Sequence, residues 1–288
     1  MSEKTEVLVL GGYSAGKTHF GAQLLARLHK RSGQLQLRGA APNLSLFDSA
    51  LACLSEGKTS EHTSSQLYGT LTMPTISAAG QQIDLSWPEY GGEQLDKLAQ
   101  RRSVPSAWRS RLRDSNHWVL MLRLLHTKAA DDLLTRPLDS ILSNTIGDGT
   151  TAKENEDFKW SNQATLIELV QILLHARGTG TTRELGVPRL LVLLSCWDEL
   201  GFSLGTRPSD ALKLHLPLFN SFLHANWTDG SFAVYGLSSL SKSLKSTEPD
   251  PEYQERGPEA FGYVVLPDGA QSPDLTLPVA MLAEEVFR

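Results

Sequence analysis

Gly11-Gly12-Tyr13-Ser14-Ala15-Gly16-Lys17-Thr18 is the stretch that decides the fold. It satisfies Gly-x4-Gly-Lys-Ser/Thr, with Gly11, Gly16, Lys17 and Thr18 at the fixed positions. Upstream, Glu6 to Leu10 is a short aliphatic run of the kind that forms a buried parallel strand. Downstream, Phe20, Leu24, Leu25 and Leu28 recur at helical spacing from Lys17 to about Lys30. Strand, glycine turn and helix therefore follow one another within thirty residues. The eight-residue pattern alone arises by accident in about one chain of this length in a hundred. That flanking order makes accident a poor account of it.

The chemistry follows from the backbone. Glycines let the chain curl so that successive N–H groups converge on an anion. The next helix points its positive dipole end at the same place. Such a loop implies a bound nucleoside triphosphate lined by Gly12, Tyr13, Ser14, Ala15 and Gly16. Lys17 would bridge the β- and γ-phosphates, and the Thr18 hydroxyl would ligate Mg²⁺.

Outward from the loop, Leu44, Phe47, Leu51 and Leu54 mark an amphipathic helix over about 44–54. The polar stretch 55–69 reads as a loop. Strands over 70–77 and 82–87, joined at Ala79-Gly80, read as an antiparallel hairpin at one sheet edge. A loop-to-helix segment covers 89–113 and is interrupted at Val104-Pro105. Further strands are expected at 117–122, 190–194 and 232–235, and helices at 163–175, 209–225 and 278–287. Alternating strands and helices predict an α/β fold: a three-layer P-loop NTPase with a mainly parallel sheet, helices on both faces and one antiparallel edge strand. One domain over 1–288 accounts for the chain, with an insertion at about 124–160 and a C-terminal extension at about 241–288.

Composition narrows the partners. The formal net charge is −5, which disfavours direct nucleic-acid binding or attachment to an anionic membrane. No apolar run approaches the ~20 residues that span a bilayer. The polar Met1 to Glu6 does not read as a signal peptide, which is expected to carry a longer apolar stretch. Cys53 and Cys196 lack metal-ligand spacing, so a reducing, cytoplasmic setting is expected.

A phosphate loop does not choose a base. After the strand at 82–87, Pro88-Glu89-Tyr90-Gly91-Gly92-Glu93 resembles the Asp-x-x-Gly motif of Ras-like GTPases. The resemblance gives Glu89 the water-mediated hold on Mg²⁺ and the Gly92 N–H the γ-phosphate contact. Glu for Asp lengthens the reach; Asp84 is the rival, though it has no glycine three residues on. Ser195-Cys196-Trp197-Asp198 resembles the Asn/Thr-Lys-x-Asp motif, in which Asp198 would accept hydrogen bonds from guanine N1–H and its exocyclic amine. Cys196 replaces the usual lysine, and Trp197 offers a ring for stacking. Ser238, in Gly236-Leu237-Ser238-Ser239, matches the segment that approaches the guanine oxygen. Thr59, Thr63, Thr70 and Thr72 could each sense the γ-phosphate; Thr63, after Leu54-x-x-Gly57, is the choice.

Together these motifs resemble the TRAFAC class of P-loop GTPases, and most nearly the prokaryotic double-GTPase families of bacterial conflict and defence systems. The resemblance implies GTP and GDP with Mg²⁺ as cofactors, and switch loops that signal to a protein effector or co-encoded partner. Glu93 stands where Ras-like enzymes have a water-orienting glutamine, and Gln94 follows it, so slow turnover is expected. An ATPase or small-molecule kinase, and a scaffold that binds without hydrolysing, stay open as alternatives. Arg101, Arg102, Arg109, Arg111 and Arg113 read first as a solvated helix face, second as an arginine finger or docking face. Trp87, Trp108 and Trp118 read as core or interface anchors, and His19 and Cys196 as packing residues.

Overall fold

The structure is a computed structural model, and it describes residues 5–12, 14–39, 45–60, 70–88, 98, 101–126 and 162–284. Tyr13, Thr63, Glu89, Gly92, Glu93 and Gln94 lie outside these, as does most of the expected insertion.

The strands are β1 (Thr5–Gly11), β2 (Leu35–Leu37), β3 (Thr70–Ser77), β4 (Gln82–Pro88), β5 (His117–Arg123), β6 (Arg189–Ser195), β7 (Phe232–Ser238), β8 (Tyr263–Val265) and β9 (Gln271–Ser272). They form one sheet in the order β2-β3-β4-β1-β5-β6-β7-β8-β9. From β4 to β7 every pairing is parallel. β1, β5 and β6 carry aliphatic runs, because a parallel strand covered on both faces has no solvent side to leave polar, whereas β4 buries Asp84 and Ser86 among its apolar residues. β3 is different. Its burial alternates strictly, with Leu71, Met73, Thr75 and Ser77 inward, as befits an antiparallel strand with one wet face.

The helices are α1 (Lys17–Lys30), α2 (Ser45–Ser55), α3 (Ser106–Asp114), α4 (Asn162–Arg177), α5 (Pro208–His215), α6 (Pro217–Asn226), α7 (Pro251–Arg256) and α8 (Leu277–Ala283). Two buried clusters divide them. Val7 and Val9 of β1 face Phe20, Leu24 and Leu28 of α1, Phe47 of α2, and Val279 and Leu282 of α8. Leu8 and Leu10, on the other face, meet Leu112 of α3, Leu173 and Leu174 of α4, Leu212 of α5 and Phe219 of α6. Trp87 and Trp118 are buried core residues, and Trp108 packs against the second cluster. The period-two alternation within a single strand thus feeds both layers of helices.

The structure refines the sequence reading in three places. The antiparallel strand β3 is not at the sheet edge; β2 covers it, pairing Leu35 with Ser77. The expected helix over 209–225 is two helices, because Pro217 bars Leu216 from helical backbone and Leu216 sits at φ −134°. The C-terminal segment also belongs to the sheet: β8 runs antiparallel to β7 and carries β9. Gln23 Nε2 donates to Pro258 O at 3.0 Å and Arg27 to Phe261 O at 2.6 Å, so α1 holds that segment from below. Among the described residues no helix is long and apolar enough to cross a membrane.

Candidate nucleotide-binding site

The parallel strands β4, β1, β5, β6 and β7 all end at one edge of the sheet, where open α/β folds bind their ligands. The phosphate loop leaves β1 there. Gly11 is opposite Met121 of β5, and a Cβ on it would lie 3.1 Å from Met121 Cβ and 3.3 Å from Ala15 Cβ. Gly16, which precedes α1, has φ 77°, and Ser14 also has a left-handed φ of 54°. Left-handed residues at 14 and 16 curl the chain into a concavity of the kind that binds anions. Phe20 N–H makes the first helical bond, to Gly16 O at 2.9 Å, so the positive end of α1 opens onto the loop. Lys17 Nζ donates to Gly11 O at 2.6 Å and Gly12 O at 2.8 Å. The ammonium is thereby held at the mouth of the loop, where phosphate oxygens would meet it.

Next to this loop is the end of β6. A Cβ on Gly16 would lie 4.0 Å from Ser195 Cβ, and Ser195 Oγ donates to Leu122 O. Cys196 then takes φ 54° and starts a short 3₁₀ turn, Trp197–Leu200. Asp198 in that turn meets Ser238 at the end of β7: Ser238 Oγ donates to Asp198 Oδ1 at 2.5 Å. Ser238 Oγ itself accepts Ser241 N–H at 2.8 Å. Arg123, the last residue of β5, grips Glu199 through Nε and Nη2 at 3.0 and 2.6 Å, fixing the turn from its other side. Two residues chosen far apart in sequence are therefore brought into direct contact beside the phosphate loop.

Two neighbours behave otherwise than a base site requires. Trp197 is buried, with its indole over Gly236, where a Cβ would come within 2.7 Å of the ring. It also packs on Phe202 at 5.2 Å, so its ring serves the core and not a base. Burial first, then Glu199, pushes the Cys196 thiol up to about 11, which fits a packing residue and not a nucleophile.

Asp84 is not at this edge. It pairs in register with Glu6, five residues before Gly11, or roughly 16 Å away at the usual strand rise. Its carboxylate meets Arg38 at 3.0 Å. Since Ser86 is level with Leu8, β4 ends at Pro88 beside the loop, and the chain leaves toward Glu89 from there. Of the threonines, Thr70 pairs with Pro88 at this edge and Thr72 with Ser86 further in. Thr59 Oγ1 lies 2.9 Å from His19 Nε2, in the first turn of α1. That contact gives His19 a place at the site which its helical position in the sequence did not signal. Arg102 pairs with Glu168, and Arg101, Arg109 and Arg113 are exposed.

The profile of the family described as Double-GTPase 1 matches residues 8–282. The chain belongs to this family. No curated protein matches it. Among solved structures, the double-GTPase is similar to the S. cerevisiae Ski7 GTPase-like domain bound to GDP and inorganic phosphate: 15% identity, 83% of this chain and 44% of that one covered, TM-score 0.40. The same domain bound to GTP matches at 14% identity, with 86% and 46% covered and TM-score 0.37. The double-GTPase spans less than half the length of those chains. Membership of a GTPase family supports GTP binding at the loop described above.

Proposed function

We propose that this double-GTPase is a Mg²⁺-dependent, GTP-binding molecular switch of the cytoplasm, with slow hydrolysis, whose switch loops signal to a protein effector or co-encoded partner in a defence system. The observation that carries the guanine reading is the Ser238–Asp198 hydrogen bond beside the phosphate loop. It fixes a carboxylate, an acceptor-only group, which suits guanine N1–H and its amine and finds no such pair of donors on adenine. Thr18 would ligate Mg²⁺ next to Lys17, with Glu89 through water and Thr63 from the switch loop. A hydroxyl and one carboxylate suit an ion that keeps several of its waters. The metal would neutralise charge between the β- and γ-phosphates. Gly92 N–H would meet the γ-phosphate. A carboxylate at Glu93, with Gln94 next, would orient water poorly against a phosphate anion, which favours slow turnover.

The test is Asp198→Asn, assayed by competition among GTP, XTP and ATP with Mg²⁺. The amide offers a donor where the carboxylate accepts, so GTP affinity should fall and XTP should gain. Unchanged preference would remove the guanine assignment.

A further inference from the structure

We propose that residues 239–250 form a strap that couples the base corner at Asp198 to the phosphate turn at the start of α1. This rests on the guanine reading of Asp198, and it adds a route by which that corner and the phosphate site act together.

The strap leaves β7 at Ser238. Ser241 N–H donates to Ser238 Oγ, and Ser241 takes φ 60°, a conformation costly for a residue with a side chain. Its own Oγ accepts Gly262 N–H at 2.7 Å, so the strained residue is held from two sides. Lys242 follows. Its ammonium meets Asp250 at 2.9 Å and Glu252 at 2.8 Å, and lies over the stacked rings of Tyr253 and Phe261. Leu240 and Leu244 pack on Ala22 of α1 and on Ala50 and Leu54 of α2.

The far end is anchored on the chain leaving α2. Asp250 N–H donates to Gly57 O at 2.8 Å. Gly57 has φ 72°, and a Cβ there would lie 2.4 Å from Asp250 O, so only glycine permits the approach. Thr59 N–H donates to Lys245 O at 3.1 Å. The Thr59 hydroxyl then contacts His19, one residue after Thr18. Every link from Asp198 to the first turn of α1 is thus a hydrogen bond, an ion pair or a covalent neighbour.

The two ends of one nucleotide would meet residues tied to this strap, at Asp198 through Ser238 and at the start of α1 through Thr59 and His19. If both bias the same element, their contributions to affinity are coupled and not independent. A double-mutant cycle on GTPγS affinity tests this, with Ser238→Ala as one arm and Gly57→Ala as the other. Lys242→Ala replaces the second arm should Gly57→Ala fail to fold, and Lys242→Arg is the rescue. The expected result is a double variant whose loss falls short of the product of the single losses by at least about threefold, with affinity restored in Lys242→Arg. Losses that multiply would overturn the strap, since a merely structural role for Gly57 or Lys242 lowers the melting temperature without coupling to Ser238. Wild-type protein is titrated in parallel with GTPγS and ATPγS. Equal affinity there takes down the guanine reading and the strap together; discrimination with multiplying losses takes down the strap alone.

Discussion

Ser238 at the end of β7 donates to the Asp198 carboxylate in the turn after β6, at 2.5 Å. The bond spans neighbouring parallel strands, so it fixes the carboxylate relative to the sheet and not merely to its own turn. A carboxylate free to rotate would lose part of its discrimination, because orientation is what separates a bidentate acceptor from a diffuse negative charge.

Ser238→Ala should therefore weaken guanine nucleotide binding about tenfold, the worth of one charge-assisted hydrogen bond. The ratio of GTP to ATP affinity should fall with it. Displacement of a fluorescent nucleotide reads both quantities. A weakened but equally selective variant would mean that the bond stabilises the fold without orienting Asp198.

Lys17→Ala should abolish nucleotide binding while leaving the fold intact. The ammonium is only partly buried, and the carbonyls it meets at Gly11 and Gly12 lie at the loop mouth, where water can replace it. A loss of at least about 100-fold is expected for a lysine that meets two phosphates. Calorimetric titration with GTP and a thermal melt separate the two effects. Retained binding would mean that the loop is not the phosphate site.

Gly11 and Gly12 should respond differently to alanine, although the sequence pattern treats them as a pair. Gly11 has Met121 and Ala15 in the way, whereas a Cβ on Gly12 meets nothing within 4 Å among the described residues. Gly11→Ala should cost about 1–3 kcal/mol by overpacking, and Gly12→Ala should leave urea unfolding near wild type. Equal stabilities would contradict the close approach of β1 and β5.

Much of this was legible in the sequence because the parallel strands announce themselves. Aliphatic runs such as Val7 to Leu10 and Leu190 to Leu194 can be nothing polar-faced, and both lead into turns that carry motif residues. Thr70 to Ser77 was readable for the opposite reason, its alternation. The short strands Leu35–Leu37, Tyr263–Val265 and Gln271–Ser272 were not, since two or three residues show no period; pairing with a neighbour makes them strands. The site divides along the same line. Local chemistry picked out Gly11 to Thr18, whereas the contacts of Asp198 with Ser238 and of Thr59 with His19 arise only when distant segments meet. Trp197 shows the limit most sharply: its place in the motif suggested stacking on a base, and the smallness of Gly236 on the next strand is what draws it into the core instead.

His117 opens β5 at the edge opposite the phosphate loop, so its titration reports on folding apart from nucleotide binding. Burial, and then the charges of Arg189 and Arg177, lower its pKa from 6.5 to about 4. Its Nδ1 is buried without a hydrogen-bond partner among the described residues. Between those two values the unfolded chain binds a proton that the folded protein does not. Stability is therefore unaffected by this group above pH 6.5 and is lost as pH falls from there toward 4. The loss should be on the order of 2 kcal/mol, allowing for solvent screening of a residue that is not fully buried. His117→Gln removes the titration, and the difference between the two proteins in urea unfolding, measured from pH 7.5 down to about 4.5, cancels the shared carboxylates. Parallel curves would show that His117 titrates alike in the folded and unfolded protein, and that the arginines beside it are turned elsewhere.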